Sequence, residues 1–153
     1  MKIYRLHEKQ RLPISKKAAW DFLSNPKNLK EITPDYMSFD MLSEEDRPMY
    51  AGQLIQYIVT PIAGIKTKWV TEITHVKERE YFVDEQRFGP YALWHHKHFI
   101  NEIEGGVEME DIIDYKLPLG FLGQMAHPIL VKPKLKEIFN YRKTKLTELF
   151  GTF

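Results

Sequence analysis

YFVDEQRFGPYALWHHKHFINEIEGGVEMEDIIDYKLP, residues 81–118, decides the fold. Three runs rich in aromatic and β-branched residues, YFVDEQRF, YALWHHKHFI and VEMEDIIDYKL, are separated only by Gly89-Pro90 and by Glu104 to Gly106. Breaks this short leave no room for a crossover helix, so the runs predict antiparallel neighbours in one sheet. Alternation along the middle run places Trp94, His96 and His98 on one face, and His95, Lys97 and Phe99 on the other. The flanking runs offer Phe82, Asp84 and Gln86 on one side and Asp111, Ile113 and Tyr115 on the other. Trp94, Phe82 and Tyr115 favour this parity as the inward one, because the opposite parity carries Glu85, Arg87, Lys97 and Lys116.

Working outward, the pattern from Tyr36 to Pro118 is almost entirely strand-like. QLIQYIVT and KTKWVTEITHV are two further runs, with breaks at Ala51-Gly52, Pro61 to Gly64 and Lys77 to Glu80. Residues 3–14 alternate as well, with Tyr4, Leu6, Leu12 and Ile14 opposite Arg5, His7, Lys9 and Arg11, and predict a first strand. Ser15 then stands as an N-cap before KKAAWDFLS, and PKNLKEI, with Pro26 near its start, predicts a second short helix ending before Pro34. Val131, Leu135, Ile138, Phe139, Leu146, Leu149 and Phe150 recur at helical spacing over about five turns. Pro128 and Pro133 predict a kink or a separate turn at the start of that helix. The preceding LPLGFLGQMAH reads as an apolar loop whose Phe121 or Leu122 is placed to gate a cavity. The expected fold is α+β: a curved antiparallel sheet of about seven strands wrapped around a long C-terminal helix, with two short helices after the first strand and no division of residues 1–153 into further domains.

Composition narrows the chemistry. The 153 residues carry 22 Lys plus Arg against 21 Asp plus Glu, a net charge of +1, which gives no diffuse attraction to nucleic acid or an anionic membrane. There is no cysteine, so disulfides, thiolate zinc sites and thiol nucleophiles are excluded. Phosphate-loop, dinucleotide-binding, serine-elbow and HExxH motifs do not occur. The opening residues lack the apolar run of a signal peptide and no stretch reaches the length of a membrane span, so a cytoplasmic protein is expected.

Four segments add a resemblance: NLKEITP at 28–34, FVDEQRFGPYALWHHKH at 82–98, DIIDYKLPLG at 111–120 and IFNYR at 138–142. With the order of elements they make the chain similar to small bacterial members of the START-like, or SRPBCC, superfamily of helix-grip proteins, which includes polyketide cyclase/dehydrase-like proteins and birch-pollen allergen relatives. The resemblance extends over essentially the whole chain. It implies a deep cavity between sheet and helix for lipids, sterols, polyketides or other apolar molecules, with or without catalysis.

If the Trp94 face is internal, its polar groups must satisfy one another, water or a ligand. A His96 or His98 ring held by Asp111 or Asp84 is a candidate general acid or base, with Tyr115 orienting a substrate oxygen; the alternative is a structural polar core. His96-x-His98 with Glu102 resembles a cupin ligand run, but no Gly stands at the expected place before the first His and no later strand supplies a second His motif, so neither metal nor cofactor is expected. Arg142 interrupts the apolar stripe of the terminal helix and needs a partner: a carboxylate such as Asp84 or Asp111, solvent reached by snorkelling to the helix edge, or the carboxylate or phosphate of a ligand. Tyr57 and Trp69 join the candidate ligand contacts; Trp20, Phe22, Phe121 and Met125 are further candidates for cavity wall or core. The leading expectation is a carrier or sensor for an apolar or amphipathic small molecule, monomeric or homodimeric, with no nucleic-acid partner and no stable membrane insertion. The rival readings are a cyclase or dehydratase using a pocket histidine and a protein-interaction module docking through an apolar patch.

Overall fold

The computed structural model of the chain describes residues 1–43, 45, 47–61 and 64–153. Its first strand, β1 (Tyr4–Leu12), alternates as expected, with Tyr4, Leu6 and Leu12 turned inward. The chain then enters α1 (Lys16–Leu23), where the Ser15 hydroxyl accepts from the Ala18 N–H, satisfying one of the four orphan donors of the helix start. Ala19 and Trp20 are the buried residues of its inner face.

The second predicted helix is tighter and shorter than expected. Pro26–Lys30 is a 3₁₀ turn, closed by bonds from the Asn28 N–H to the Asn25 carbonyl and from the Glu31 N–H to the Asn28 carbonyl. Pro26 lacks an N–H and the Asn25 side chain accepts from the Lys27 N–H, which favours a capped single turn over propagation. The strand expected from Tyr36 onward is also corrected. Asp35–Met37 is another 3₁₀ turn, and only β2 (Asp40–Met41) pairs before β3 (Leu54–Val59). The break predicted at Pro61 to Gly64 falls partly on residues 62 and 63, which lie outside the described residues.

The remaining strands are β4 (Thr67–Lys77), β5 (Tyr81–Phe88), β6 (Leu93–Ile103) and β7 (Gly106–Lys116). All neighbours are antiparallel in the order β1-β7-β6-β5-β4-β3-β2, so the first strand closes one edge beside the last. Register shifts between Val70 and Thr71 and between Ile73 and His75 bend β4 against β5, and such irregularities increase local twist and curl a sheet. Leu12, Ile73, Ile100, Val107 and Leu146 are almost completely enclosed on the concave side.

The apolar segment before the terminal helix is helical, contrary to its reading as a loop. Leu119 takes a left-handed conformation as N-cap, α2 runs over Gly120–Ala126, and a π-helical turn, His127–Val131, leads into α3 (Lys132–Phe150). Pro128 cannot donate to the ladder and disturbs the turn before it, so the wider π register marks the expected irregularity. Gly123 is required where α2 folds back on its approach, because a Cβ there would stand 2.1 Å from the Pro118 carbonyl oxygen. Leu119, Phe121, Leu122, Met125, Ile129 and Leu130 project outward from this segment. On α3, Leu135, Phe139, Arg142 and Leu146 face the sheet, while Leu149 lies exposed near the helix end. The Gln10 amide ties β1 to α3 by donating to the Lys143 carbonyl at 2.9 Å and the Thr147 hydroxyl at 3.2 Å. This is a seven-stranded curved sheet gripping a long helix, the helix-grip α+β architecture. No described helix is long and apolar enough to cross a membrane.

Candidate functional site

Strand register assembles the polar face. Asp84 on β5 lies opposite His96 on β6, and His98 lies opposite Asp111 on β7. Each imidazole therefore has one carboxylate across the ladder and another diagonally, within the reach of long side chains. His98 Nε2 is 2.6 Å from Asp84 Oδ2, and His96 Nε2 is 2.9 Å from Asp111 Oδ1. The other contacts are weaker: His98 Nδ1 is 3.0 Å from Asp111 Oδ1 but outside hydrogen-bonding alignment, and His96 Nδ1 is 3.6 Å from Asp84 Oδ2. The two rings stack with centroids 3.6 Å apart, and Phe82 covers His98 at 4.0 Å. His96 and His98 are only 5% and 7% exposed.

Burial pushes all four groups toward their neutral forms, and the contacts decide which resist. Burial alone would raise Asp111, but the Arg142 charge, the hydrogen bond from His96 and the close His98 imidazole hold it well below the usual carboxylate range. Asp84 is lowered for a similar reason, its burial outweighed by the His98 bond and the charges of both imidazoles. Burial would lower His98, yet its contacts with Asp111 and Asp84 raise it above an ordinary histidine. His96 is lowered by burial and then by the neighbouring His98 charge, against the pull of Asp111. The consistent protonation state is an imidazolium at His98 and a neutral His96 that donates Nε2–H to Asp111 and keeps a lone pair on Nδ1. With Asp84 and Asp111 ionised, His98 and Arg142 supply the balancing positive charges.

Asp84, His96 and His98 each offer a ligand atom within 4.8 Å of the others, so these three could hold a metal ion. Glu102, the carboxylate of the cupin-like reading, is exposed near the far end of β6 and does not join them. A dication would have to displace the His98 proton, and beside Arg142 it would leave the buried cluster with an excess of positive charge; protons balance the cluster better.

The cluster borders a cavity of about 200 Å³ between the sheet and α3. Tyr57, Trp69, Phe82 and Trp94 form its sheet wall, Leu135, Ile138 and Phe139 its helix wall, and Leu29 and Ile32 its third side. Asp84, His96, His98 and Arg142 supply its polar lining. Of the sequence-derived candidates, Asp111 stands behind this lining, hydrogen-bonded to His96, 3.0 Å from His98 Nδ1 and 3.6 Å from Arg142 Nη2. Gln86 and Tyr115 are not among the lining residues. The Gln86 amide clasps the β5–β6 turn, donating to the Tyr91 carbonyl at 2.7 Å and accepting from the Tyr91 N–H at 3.1 Å. The Tyr115 hydroxyl pairs with His127 Nε2 at 2.7 Å, and Tyr4 stacks on that imidazole at 3.5 Å. Phe22 reaches the cavity, whereas Trp20, Phe121 and Met125 do not border it. Sequence reasoning missed Tyr91 and Phe39, both lining residues. They lie outside the strands, where alternation gives no inward direction; the aromatic directly after Gly89-Pro90 was the available signal for Tyr91.

Comparison with protein-family models gives no match, and comparison with curated protein sequences gives none either. Solved structures are similar throughout the chain. Protein CV1439 from Chromobacterium violaceum is 11% identical with a TM-score of 0.72, covering 99% of this chain and 98% of its own. Ara h 8.0201 is 13% identical with a TM-score of 0.60, covering 96% of this chain and 99% of its own. A nucleoside-diphosphate sugar epimerase from Corynebacterium glutamicum is 20% identical with a TM-score of 0.65; the match covers 94% of this chain but 28% of that one. At these identities the likeness shows the fold alone, and that fold is the helix-grip arrangement.

Proposed function

We propose that the protein binds an apolar or amphipathic small molecule, of the lipid, sterol or polyketide-like kind, in the cavity between the sheet and α3, and acts as its carrier or sensor. The observation that carries this reading is a mainly apolar, aromatic-walled cavity with a few convergent polar groups on its lining, the usual composition of a small-molecule site. Native mass spectrometry of gently purified protein, with a thermal-shift screen of fatty acids, sterols and aromatic polyketides, tests it. A co-purified or stabilising ligand is expected; a protein that carries none and is stabilised by none counts against it.

A second reading rests on His96. Its Nδ1 has no formed hydrogen bond and the ring lines the cavity, so a bound substrate would meet a neutral imidazole oriented from behind by Asp111. That is the arrangement of a general base, and it supports a cyclase or dehydratase chemistry in which His96 removes a proton from carbon or oxygen. The expected result is turnover that depends on pH and is abolished in a folded His96→Ala variant. Equal turnover in that variant removes His96 from the chemistry.

A further inference from the structure

The polar end of the ligand is defined by Arg142, an inference that rests on the binding function proposed above. Arg142 is 7% exposed and lines the cavity. A guanidinium keeps its charge and carries five N–H donors, yet among the described residues the Arg142 side chain forms no hydrogen bond. Nη2 stands 3.6 Å from Asp111 Oδ1, beyond hydrogen-bond length, and Nε is enclosed without an acceptor. The Asp111 oxygen nearest to it is already taken by His96 Nε2 at 2.9 Å, with His98 Nδ1 3.0 Å away. On the sheet wall the indole N–H of Trp69, 8% exposed, also lacks an acceptor. The buried polar atoms left unpaired around the cavity are thus nitrogens, while both carboxylates have partners. A cationic ligand meets Arg142, whereas a ligand bringing acceptor oxygens supplies what the guanidinium and the Trp69 N–H lack, and an anionic one makes charge-assisted bonds to Arg142.

Volume and walls define the other end. An apolar cavity of about 150 Å³ is known to take a benzene ring, so about 200 Å³ suits one ring with a short chain. Tyr91 packs against Trp94 at 4.7 Å and Trp69 at 5.7 Å, and Trp69 meets Trp94 edge-on at 5.4 Å, an aromatic wall that accepts a further ring in stacked or edge-on contact. Contacts from Trp94 to His96 at 6.1 Å, His96 to Phe139 at 6.1 Å and Phe139 to Arg142 at 5.7 Å connect this wall to the guanidinium.

We propose that the ligand is a small aromatic carboxylate, its ring against Trp69, Tyr91 and Trp94 and its carboxylate on Arg142. The test titrates the protein with 3-phenylpropanoate, 3-phenylpropanamide and 3-phenylpropanol by calorimetry and tryptophan fluorescence. The carboxylate is expected to bind roughly tenfold tighter than the other two, since charge-assisted hydrogen bonds are about twice as strong as neutral ones. Arg142→Gln should abolish that preference while retaining the alcohol, and Arg142→Lys should keep part of it, because the charge remains but the planar fork is lost. An amide or alcohol that matches the carboxylate in the unmodified protein overturns the proposal and leaves the cavity reading standing, whatever the folding of the variants. Decanoate binding tighter than 3-phenylpropanoate overturns the aromatic half. Failure of all three probes together with decanoate and toluene overturns both the proposal and the binding function beneath it.

Discussion

At the residue scale, two imidazoles two positions apart on one strand are shifted in opposite directions, because His98 is held between two carboxylates while His96 is lowered by burial and by the neighbouring His98 charge. Nitrogen-detected NMR across a pH titration should therefore find His98 titrating above, and His96 below, the ordinary value of about 6.5. The linked stability follows in sign. The contribution of His98 is complete below about 6.5, where the unfolded chain also becomes protonated, and is lost as pH rises through its raised folded value. His96 contributes fully above about 6.5, and that contribution is lost as pH falls through its lowered value. Asp84 and Asp111 contribute fully above about 3.9 and lose it as pH falls through theirs. Urea unfolding should show stability declining on the alkaline side of about 6.5, a decline that His98→Gln flattens; an unchanged slope in that variant would contradict the assignment. Asp111→Ala, which removes the acceptor of His96 and the negative charge beside His98 and Arg142, should cost about 3–5 kcal/mol by the same measurement, whereas a loss under about 1 kcal/mol would mean that the cluster is solvated. Alternation grouped Trp94, His96, His98, Asp84 and Asp111 on common faces, and Trp94, Phe82 and Tyr115 against the charged opposite parity favoured that face as the inward one. Their pairing was not readable, because register depends on turn geometry and sheet curvature that no single strand encodes.

At the element scale, strands with strict alternation and the Ser15 cap were legible because their signals are local. The 3₁₀ turn at Pro26–Lys30 and the helix α2 were not. α2 has two glycines, no side-chain cap and no polar face, so nothing in its composition separates a helix from an apolar loop. Its form is set by packing: Gly123 allows the helix to approach the Pro118 carbonyl. Gly123→Ala should destabilise the protein by about 1–3 kcal/mol despite the better helix propensity of alanine, and a stabilising effect in thermal unfolding would show that this close approach does not exist. By contrast, Phe121 and Ile129, 73% and 75% exposed, face away from the core. Phe121→Ser and Ile129→Ser should each leave unfolding free energy within about 0.5 kcal/mol of the parent, and a larger loss would place these side chains inside rather than outside.

For the whole molecule, a curved sheet with one long helix across its concave side buries three apolar clusters among the described residues, around Trp20 and Leu146, around Leu135 and Phe139, and around Phe39 and Trp69, and leaves a cavity between sheet and helix. The architecture followed from the order of elements; the extent of the cavity did not, since it depends on how far Trp69, Tyr91, Trp94 and Phe139 fill the concavity. The direct test is titration of ¹⁵N-labelled protein with toluene, followed at the indole N–H resonances. Trp69 and Trp94 border the cavity and Trp20 does not. The account predicts saturable shifts at Trp69, Trp94 and the Phe139 amide with Trp20 unmoved; shifts confined to the outer face around Phe121 and Ile129, or none, would contradict it.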